Sequence, residues 1–224
     1  MPGTVVFDLD GTLVDSSADL IAAANACFAD RGLAAPLDPV ADAMIAFQGG
    51  RAMLRAGYAR MPADVLLPPG AEDADFARLL DHYAAGIAVH TRLYPGAEAA
   101  LQALAADGQR LAVCTNKPEA LAKQLLRALG VRDAFASLIG ADTLPTRKPD
   151  PAPYRAAVAQ AGGEVARSCL IGDTETDRRT AANVGVPVAL VSFGPEGAGI
   201  ARLNPDALLD DFAALPALAR DWLK

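Results

Sequence analysis

Two aspartates one residue apart, Asp8 and Asp10, follow directly on the apolar run Thr4 to Phe7, and Gly11 and Thr12 come next, in the stretch TVVFDLDGTLVDS. Aspartate and glycine are good turn formers, so an Asp-rich strand end reads by itself as a turn. The same spacing also suits two carboxylates with different jobs, one toward a metal and substrate, the other toward a proton. Three further stretches carry related groups. CTNKP places Thr115 and Asn116 after an apolar run, TRKPDP supplies Lys148, and IGDTETD supplies Asp173 and Asp177. Each has an ordinary structural explanation: Thr115 and Asn116 can cap a helix, Lys148 can be solvated, and Asp177 can complement a helix dipole in a first turn. Together they put carboxylates, a lysine, a hydroxyl and an amide at several strand ends. Neighbouring carboxylates repel, and a bound divalent cation is the usual relief. Oxygen ligands without histidine or cysteine select Mg²⁺, which keeps waters and favours phosphate-bearing partners.

Five short apolar runs must position these groups: Thr4 to Phe7, Arg110 to Thr115, Ser137 to Gly140, Ser168 to Gly172 and Val188 to Ser192. Helical patterns lie between the later ones, at Ala97 to Ala106, Glu119 to Leu129, Pro151 to Gln160 and Asp177 to Val184. Strand and helix in alternation predict βαβ units and a parallel sheet covered on both faces. Gly108, Gly130, Gly162 and Gly185 each stand just past a periodic segment, where helices end in a left-handed residue. In such a sheet ligands bind beyond the carboxyl ends of the strands, which is where the polar groups fall. The stretch from Ser16 to Arg92 is too long for one crossover and reads as helices. SSADLIAAANACFADRG has Ser16 or Ser17 as N-cap and Gly32 as stop, PVADAMIAFQGGRAMLRAGYARM is broken at Gly49 and Gly50, and EDADFARLLDHYAAGIAVH follows the turn-rich LPPG. The expected architecture is an α/β, Rossmann-like parallel core made of residues 1–15 and 93–224, with residues 16–92 as an inserted helical cap.

The 224 residues are enough for one substantial core and a smaller satellite. Hydrophobic residues make up 52% and charged ones 21%; the apolar excess is largely alanine, which favours helices. A net charge of −7, from 27 acidic and 20 basic side chains, disfavours nucleic acid and anionic membranes as partners. It does not bar a small anionic substrate, since a metal and a lysine can reverse the potential within one cleft. Cys27, Cys114 and Cys169 lack metal-ligand spacing and read as small buried side chains. With no basic leader, signal-like segment or membrane-length apolar run, the expectation is a cytoplasmic protein. His82 and His90 have no partner at metal spacing and read as structural or solvated, and Trp222 reads as a C-terminal packing anchor. Lys117 is open between a phosphate contact and a surface residue at a helix start.

DLDGT, the Thr115 and Asn116 strand end, RKPDP and GDTETD resemble, in order, the four signatures of the haloacid-dehalogenase (HAD) superfamily of phosphatases, with an inserted helical cap in the matching place. LYPG, CTNKP and RKPDPAP further resemble its phosphoglycolate phosphatase branch, and the likeness spans essentially the whole chain. It implies a Mg²⁺-dependent hydrolysis of a small phosphomonoester, 2-phosphoglycolate first. Asp8 would attack phosphorus to give an aspartyl-phosphate, and Asp10 would protonate the leaving group and then deprotonate water. Mg²⁺ would be held by Asp8, the backbone carbonyl of Asp10 and Asp173, with Asp177 supporting that set. Thr115, Asn116 and Lys148 would take the phosphoryl oxygens and charge. The cap would open and close about Asp15 and Arg92, and Arg51, at the helix break, would read a substrate carboxylate. A phosphosugar mutase on the same scaffold is the alternative enzyme, and a non-catalytic phospho-accepting regulatory domain the alternative of another class. Asp10 argues against a dehalogenase, which needs no such acid. The absence of lysine between Ser16 and Arg92 argues against imine-forming phosphonate cleavage.

Overall fold

The computed structural model describes residues 2–62 and 70–224. The LPPG turn, apart from Gly70, lies outside the described residues. The chain forms two compact units, Met1–Asp15 with Arg92–Lys224, and Ser16–Thr91. In chain order the elements are β1 (Thr4–Phe7), β2 (Val14–Asp15), α1 (Ser17–Ala29), α2 (Ala43–Ala46), α3 (Gly50–Ala59), α4 (Ala71–Ala85), β3 (Arg92–Leu93), α5 (Ala97–Ala106) and β4 (Arg110–Cys114). They continue with α6 (Glu119–Ala128), β5 (Ser137–Ile139), α7 (Pro151–Gln160), β6 (Ser168–Gly172), α8 (Glu175–Val184), β7 (Val188–Val191), β8 (Ala207–Leu209) and α9 (Leu215–Trp222).

Six strands of the first unit form a sheet in the order β5-β4-β1-β6-β7-β8, parallel at every pairing. β1 is central, with Phe7 opposite Val113 of β4 and Ile171 of β6. Both faces are covered, so β1 and β6 are buried at every residue and read as continuous apolar runs without alternation. Val6, Ala112, Ile139 and Leu170 pack with Tyr154, Ala157 and Val158 of α7 and with Ala181 and Val184 of α8. Side chains alternate along a strand, so Val5 and Phe7 turn to the opposite face, and Phe7 meets Phe135 edge to face. Gly108, Gly130, Gly162 and Gly185 all have positive φ at helix ends. Asp150 caps α7 through the Ala152 N–H at 2.8 Å.

In the first unit three features depart from the sequence reading. β8 extends the sheet by a strand that its short ALL run did not announce. Arg92 belongs to the first unit rather than to the insert, because it pairs with Asp15 in the β2-β3 ladder. At the C-terminus, Leu215, Ala219 and Leu223 are the buried residues and Trp222 is only half-buried, so the anchor is aliphatic.

The second unit is helical. α1 ends before Gly32, which has φ +71°. The pattern from Pro39 gives only the single turn of α2; ahead of it the Asp38 carboxylate accepts the N–H groups of Val40 and Ala41, at 2.8 and 2.7 Å, as an N-cap does, and Asp42 accepts the Asp38 N–H at 2.8 Å and pairs with Arg60. Buried Asp75 joins α1, α3 and α4 through two bonds from Arg31, at 2.7 and 2.9 Å, and one from the Tyr58 hydroxyl. Asp19 accepts the N–H groups of His90 and Thr91 and the Thr91 hydroxyl, which closes the end of the segment onto its start. His82 Nε2 lies 2.7 Å from Asp30 Oδ2. All three cysteines are buried and free, and no described helix is long and apolar enough to cross a membrane.

Candidate active site

The site forms where β1, β4 and β6 end. Asp8 directly follows β1; its N–H still bonds the Ile171 carbonyl at 2.9 Å, so the sheet fixes its backbone. Its Oδ1 accepts the Leu9 N–H at 2.7 Å, and its Oδ2 lies 3.0 Å from Lys148 Nζ. Asp173 follows β6 and accepts the Thr12 hydroxyl at 2.7 Å. Asp177 sits in the first turn of α8, where Thr174 and Asp177 form a capping box. One Asp177 oxygen takes Lys148 Nζ at 2.6 Å; the other takes the N–H groups of Asp173 and Thr174 and the Thr174 hydroxyl. Asp177 is therefore both the helix-cap acid and the anchor of Lys148.

Backbone shape makes this convergence possible at two glycines. Gly11 has φ +82°, and a Cβ there would stand 2.2 Å from Asp173 Oδ2. A Cβ at Gly172 would meet the Asp177 side chain at 2.4 Å. Gly11→Ala is expected to displace Asp173 and to strain the turn by about 1–2 kcal/mol. Thermal unfolding should show a drop of that order, and any activity of the site should fall at least about tenfold, as a small misplacement of reacting groups entails.

The electrostatics are those of crowded acids. Burial first, then Asp177 against the opposing pull of Lys148, leaves the Asp8 carboxyl pushed up to about 6. Asp173 is raised well above the usual carboxylate range by burial, Asp177 and Asp8. Burial works against the charge on Lys148, yet Asp177 and Asp8 outweigh it and hold the ammonium protonated. Oxygens of Asp8, Asp173 and Asp177 all lie within 4.8 Å of one another, a set that could hold a metal ion. Three carboxyl groups, Asp8, Asp173 and Asp177, crowd about the single ammonium of Lys148, an excess of two negative charges when all three are charged, which is the charge one divalent cation would neutralise.

The groups from the other strand ends take places the sequence did not specify. Thr115 Oγ1 accepts the Lys117 N–H at 3.2 Å. The Asn116 side-chain amide donates to the Lys148 carbonyl at 3.0 Å and so steadies the segment that presents the lysine. Lys117 places its ammonium 2.9 and 3.0 Å from the two oxygens of Asp10. Neither this pair nor the Thr12 bond to Asp173 was read from the sequence, although the hydroxyl of DGT and the lysine of TNKP were visible in it. Arg51 lies in the second unit, where its guanidinium pairs with Asp73 and stands 4.4 Å from the Phe76 ring centre. Both contacts lie within the helical unit, and the Arg51 side chain stays 44% exposed.

A parallel sheet with acids at its carboxyl edge and a helical insert after β2 defines a class of hydrolases. The chain belongs to the haloacid dehalogenase-like hydrolases, whose family pattern matches residues 2–185. Over 230 aligned residues it is 43% identical to the phosphoglycolate phosphatase of Rhodospirillum rubrum, covering 100% of this chain and 91% of that one. It is 41% identical to the phosphoglycolate phosphatase of Cereibacter sphaeroides (strain ATCC 17025), with both chains covered in full. Its structure is similar to a protein of Haemophilus somnus described as a predicted phosphoglycolate phosphatase, with a TM-score of 0.86, 29% identity and 97% of each chain covered. CbbY of Rhodobacter sphaeroides, solved with phosphate, shares the fold at a TM-score of 0.76 and 24% identity. The chain is thus an enzyme, a hydrolase of the phosphoric monoester type.

Proposed function

We propose that the chain is a Mg²⁺-dependent phosphatase of small phosphomonoesters, with 2-phosphoglycolate as substrate, working through an aspartyl-phosphate on Asp8. The observation that carries this reading is the Asp8 carboxylate at the end of the central strand, 3.0 Å from a buried lysine and within reach of two further carboxylates. Full-length relatives that are phosphoglycolate phosphatases supply the substrate.

Asp8 attacks phosphorus in line with the ester oxygen, forming the P–O bond to its own carboxylate as the P–O bond to the leaving alkoxide breaks. Asp10 gives that alkoxide a proton. A water then attacks the same phosphorus, Asp10 takes the proton back, and the bond to Asp8 breaks with release of inorganic phosphate. Lys148 offsets negative charge on Asp8 and on the phosphoryl group, while Asp177 and the Asn116 amide hold the lysine in place. The Thr115 hydroxyl, which accepts from the Lys117 N–H, has its proton to donate to a phosphoryl oxygen. The donor set fits a hard cation: Asp8, the Asp10 carbonyl and Asp173 would hold Mg²⁺, which when bound supplies charge neutralisation at the phosphoryl oxygens.

The test is phosphate release from a panel of small phosphomonoesters with Mg²⁺ or with chelator, alongside thermal unfolding in both. The expected result is the highest kcat/KM on 2-phosphoglycolate and none above background with chelator. At pH 7.5, addition of Mg²⁺ at about 100 times its Kd should raise stability by about 2.7 kcal/mol. Release without Mg²⁺ would overturn the metal reading, and isomerisation of a hexose phosphate in place of phosphate release would favour a mutase.

A further inference from the structure

Lys117 follows Thr115 and Asn116 at the end of β4, and its ammonium bonds both oxygens of Asp10, 107 residues away in the chain. The side chain of Lys117 is 4% exposed and that of Asp10 20%. Lysine is almost never buried this far unless paired. An ammonium that meets both oxygens, at 2.9 and 3.0 Å, restricts rotation of the carboxyl about the side-chain bonds that would otherwise turn it. Lys148 already serves Asp8 and Asp177, so the two buried ammonium groups of the site hold different carboxylates.

The geometry points to Lys117 as a positioning residue that acts through Asp10, holding its carboxyl in the orientation from which a proton reaches the leaving oxygen. The inference rests on the phosphatase reading above and adds a residue to it. Its consequence is selective. An alkoxide leaving group, as in 2-phosphoglycolate, needs the proton as the P–O bond breaks, whereas p-nitrophenolate departs without one. A lysine that contacted the phosphoryl group instead would matter equally for both esters.

The experiment measures kcat/KM on 2-phosphoglycolate and on p-nitrophenyl phosphate with Mg²⁺, for wild type, Lys117→Met, Lys117→Arg, Asp10→Asn and the double variant Asp10→Asn with Lys117→Met. kcat/KM covers steps only to the first irreversible one, so hydrolysis of the intermediate stays outside the comparison. Lys117→Met is expected to lose about 10–100-fold on 2-phosphoglycolate but less than about threefold on p-nitrophenyl phosphate. Lys117→Arg, able to pair with both carboxylate oxygens, should recover part of the loss. In the Asp10→Asn background the lysine substitution should cost little more, because the two act as one unit. Equal loss on both esters, additive loss in the double variant, or an unchanged rate on 2-phosphoglycolate would each overturn the inference. Should Lys117→Met be recovered unfolded, Lys117→Gln is read by the same criteria. Failure of the wild type to release phosphate, or full activity in Asp8→Asn, would overturn the phosphatase reading and this inference with it, a result distinct from the others.

Discussion

Asp8→Asn is expected to lower phosphate release by on the order of 10⁴-fold or more while leaving the protein folded. The rate falls because an amide is not a nucleophile toward phosphorus. The fold survives because two stability effects oppose each other. Asparagine offers one acceptor where Asp8 now meets two donors, the Leu9 N–H at 2.7 Å and Lys148 at 3.0 Å. One of those donors must therefore face an NH₂ group, at a cost of about 1–3 kcal/mol. Against this, the substitution removes a buried charge from among Asp173 and Asp177. The Asp8 carboxyl, pushed up to about 6 by burial against the pull of Lys148, binds a proton more tightly folded than unfolded, where the ordinary value is 3.8. Folding therefore takes up a proton between those two values, and metal-free stability falls as pH rises through that window. Above it, the ionised carboxylate weighs against folding. In chelator the variant should unfold within a few degrees of wild type at pH 7.5, and its loss of stability between pH 4 and 6 should be shallower, with Asp173 supplying the remainder. Thermal scans across pH and a phosphate-release assay check both halves. A variant that unfolds at 25 °C, or one that keeps a tenth of wild-type activity, would contradict the expectation.

Much of the scaffold for this chemistry was legible in the sequence because strand ends and loops carry local signals. FDLDGT, CTN and GDTETD end apolar runs that are buried on both faces, and such runs read as strands whatever lies around them. Helix ends were marked by glycines that adopt positive φ. What the sequence could not show was partnership over distance. Thr12 finds Asp173 across 161 residues, Lys117 finds Asp10 across 107, and Asn116 finds the Lys148 carbonyl across 32. Each residue type had a plausible local use, and only the packed sheet decides between local and distant partners. Asn116 shows the difference: its local use as a cap gives way to a bond with the Lys148 carbonyl. β8 escaped because Ala207–Leu209 is short, lacks β-branched residues and lies beside acids. The helix expected from Pro39 is shorter than its pattern, a single turn at Ala43–Ala46, although Asp38 offers a cap to the amides ahead of it.

Lys148→Met should be costly to both activity and fold. Met is close to lysine in length and fills the site, so the change isolates the charge from the packing. The ammonium pairs with both Asp8 and Asp177, 3.0 and 2.6 Å away, and its side chain is 1% exposed. Without it two buried carboxylates face each other through hydrocarbon. Breaking a buried pair in this way costs about 3–5 kcal/mol when the remaining charge stays ionised. Asp8, already raised by burial and now without the pull of Lys148, can escape part of that cost by binding a proton, and the sign of the pH dependence follows. Destabilisation in metal-free buffer should be largest near pH 8 and shrink toward pH 5, where protonation replaces the lost ammonium. Phosphate release should fall by about 10²–10³-fold, the range seen when one preorganised charge donor is removed from a reacting centre. Lys148→Arg is not expected to rescue, since a planar guanidinium replaces an ammonium whose side chain is 1% exposed, and overpacking of that kind costs about 1–3 kcal/mol. Chemical denaturation at pH 5 and pH 8, set beside kcat/KM on 2-phosphoglycolate, checks both parts. Equal stability loss at the two pH values would show that Lys148 holds the fold by packing, and that its charge is not what keeps Asp8 and Asp177 together.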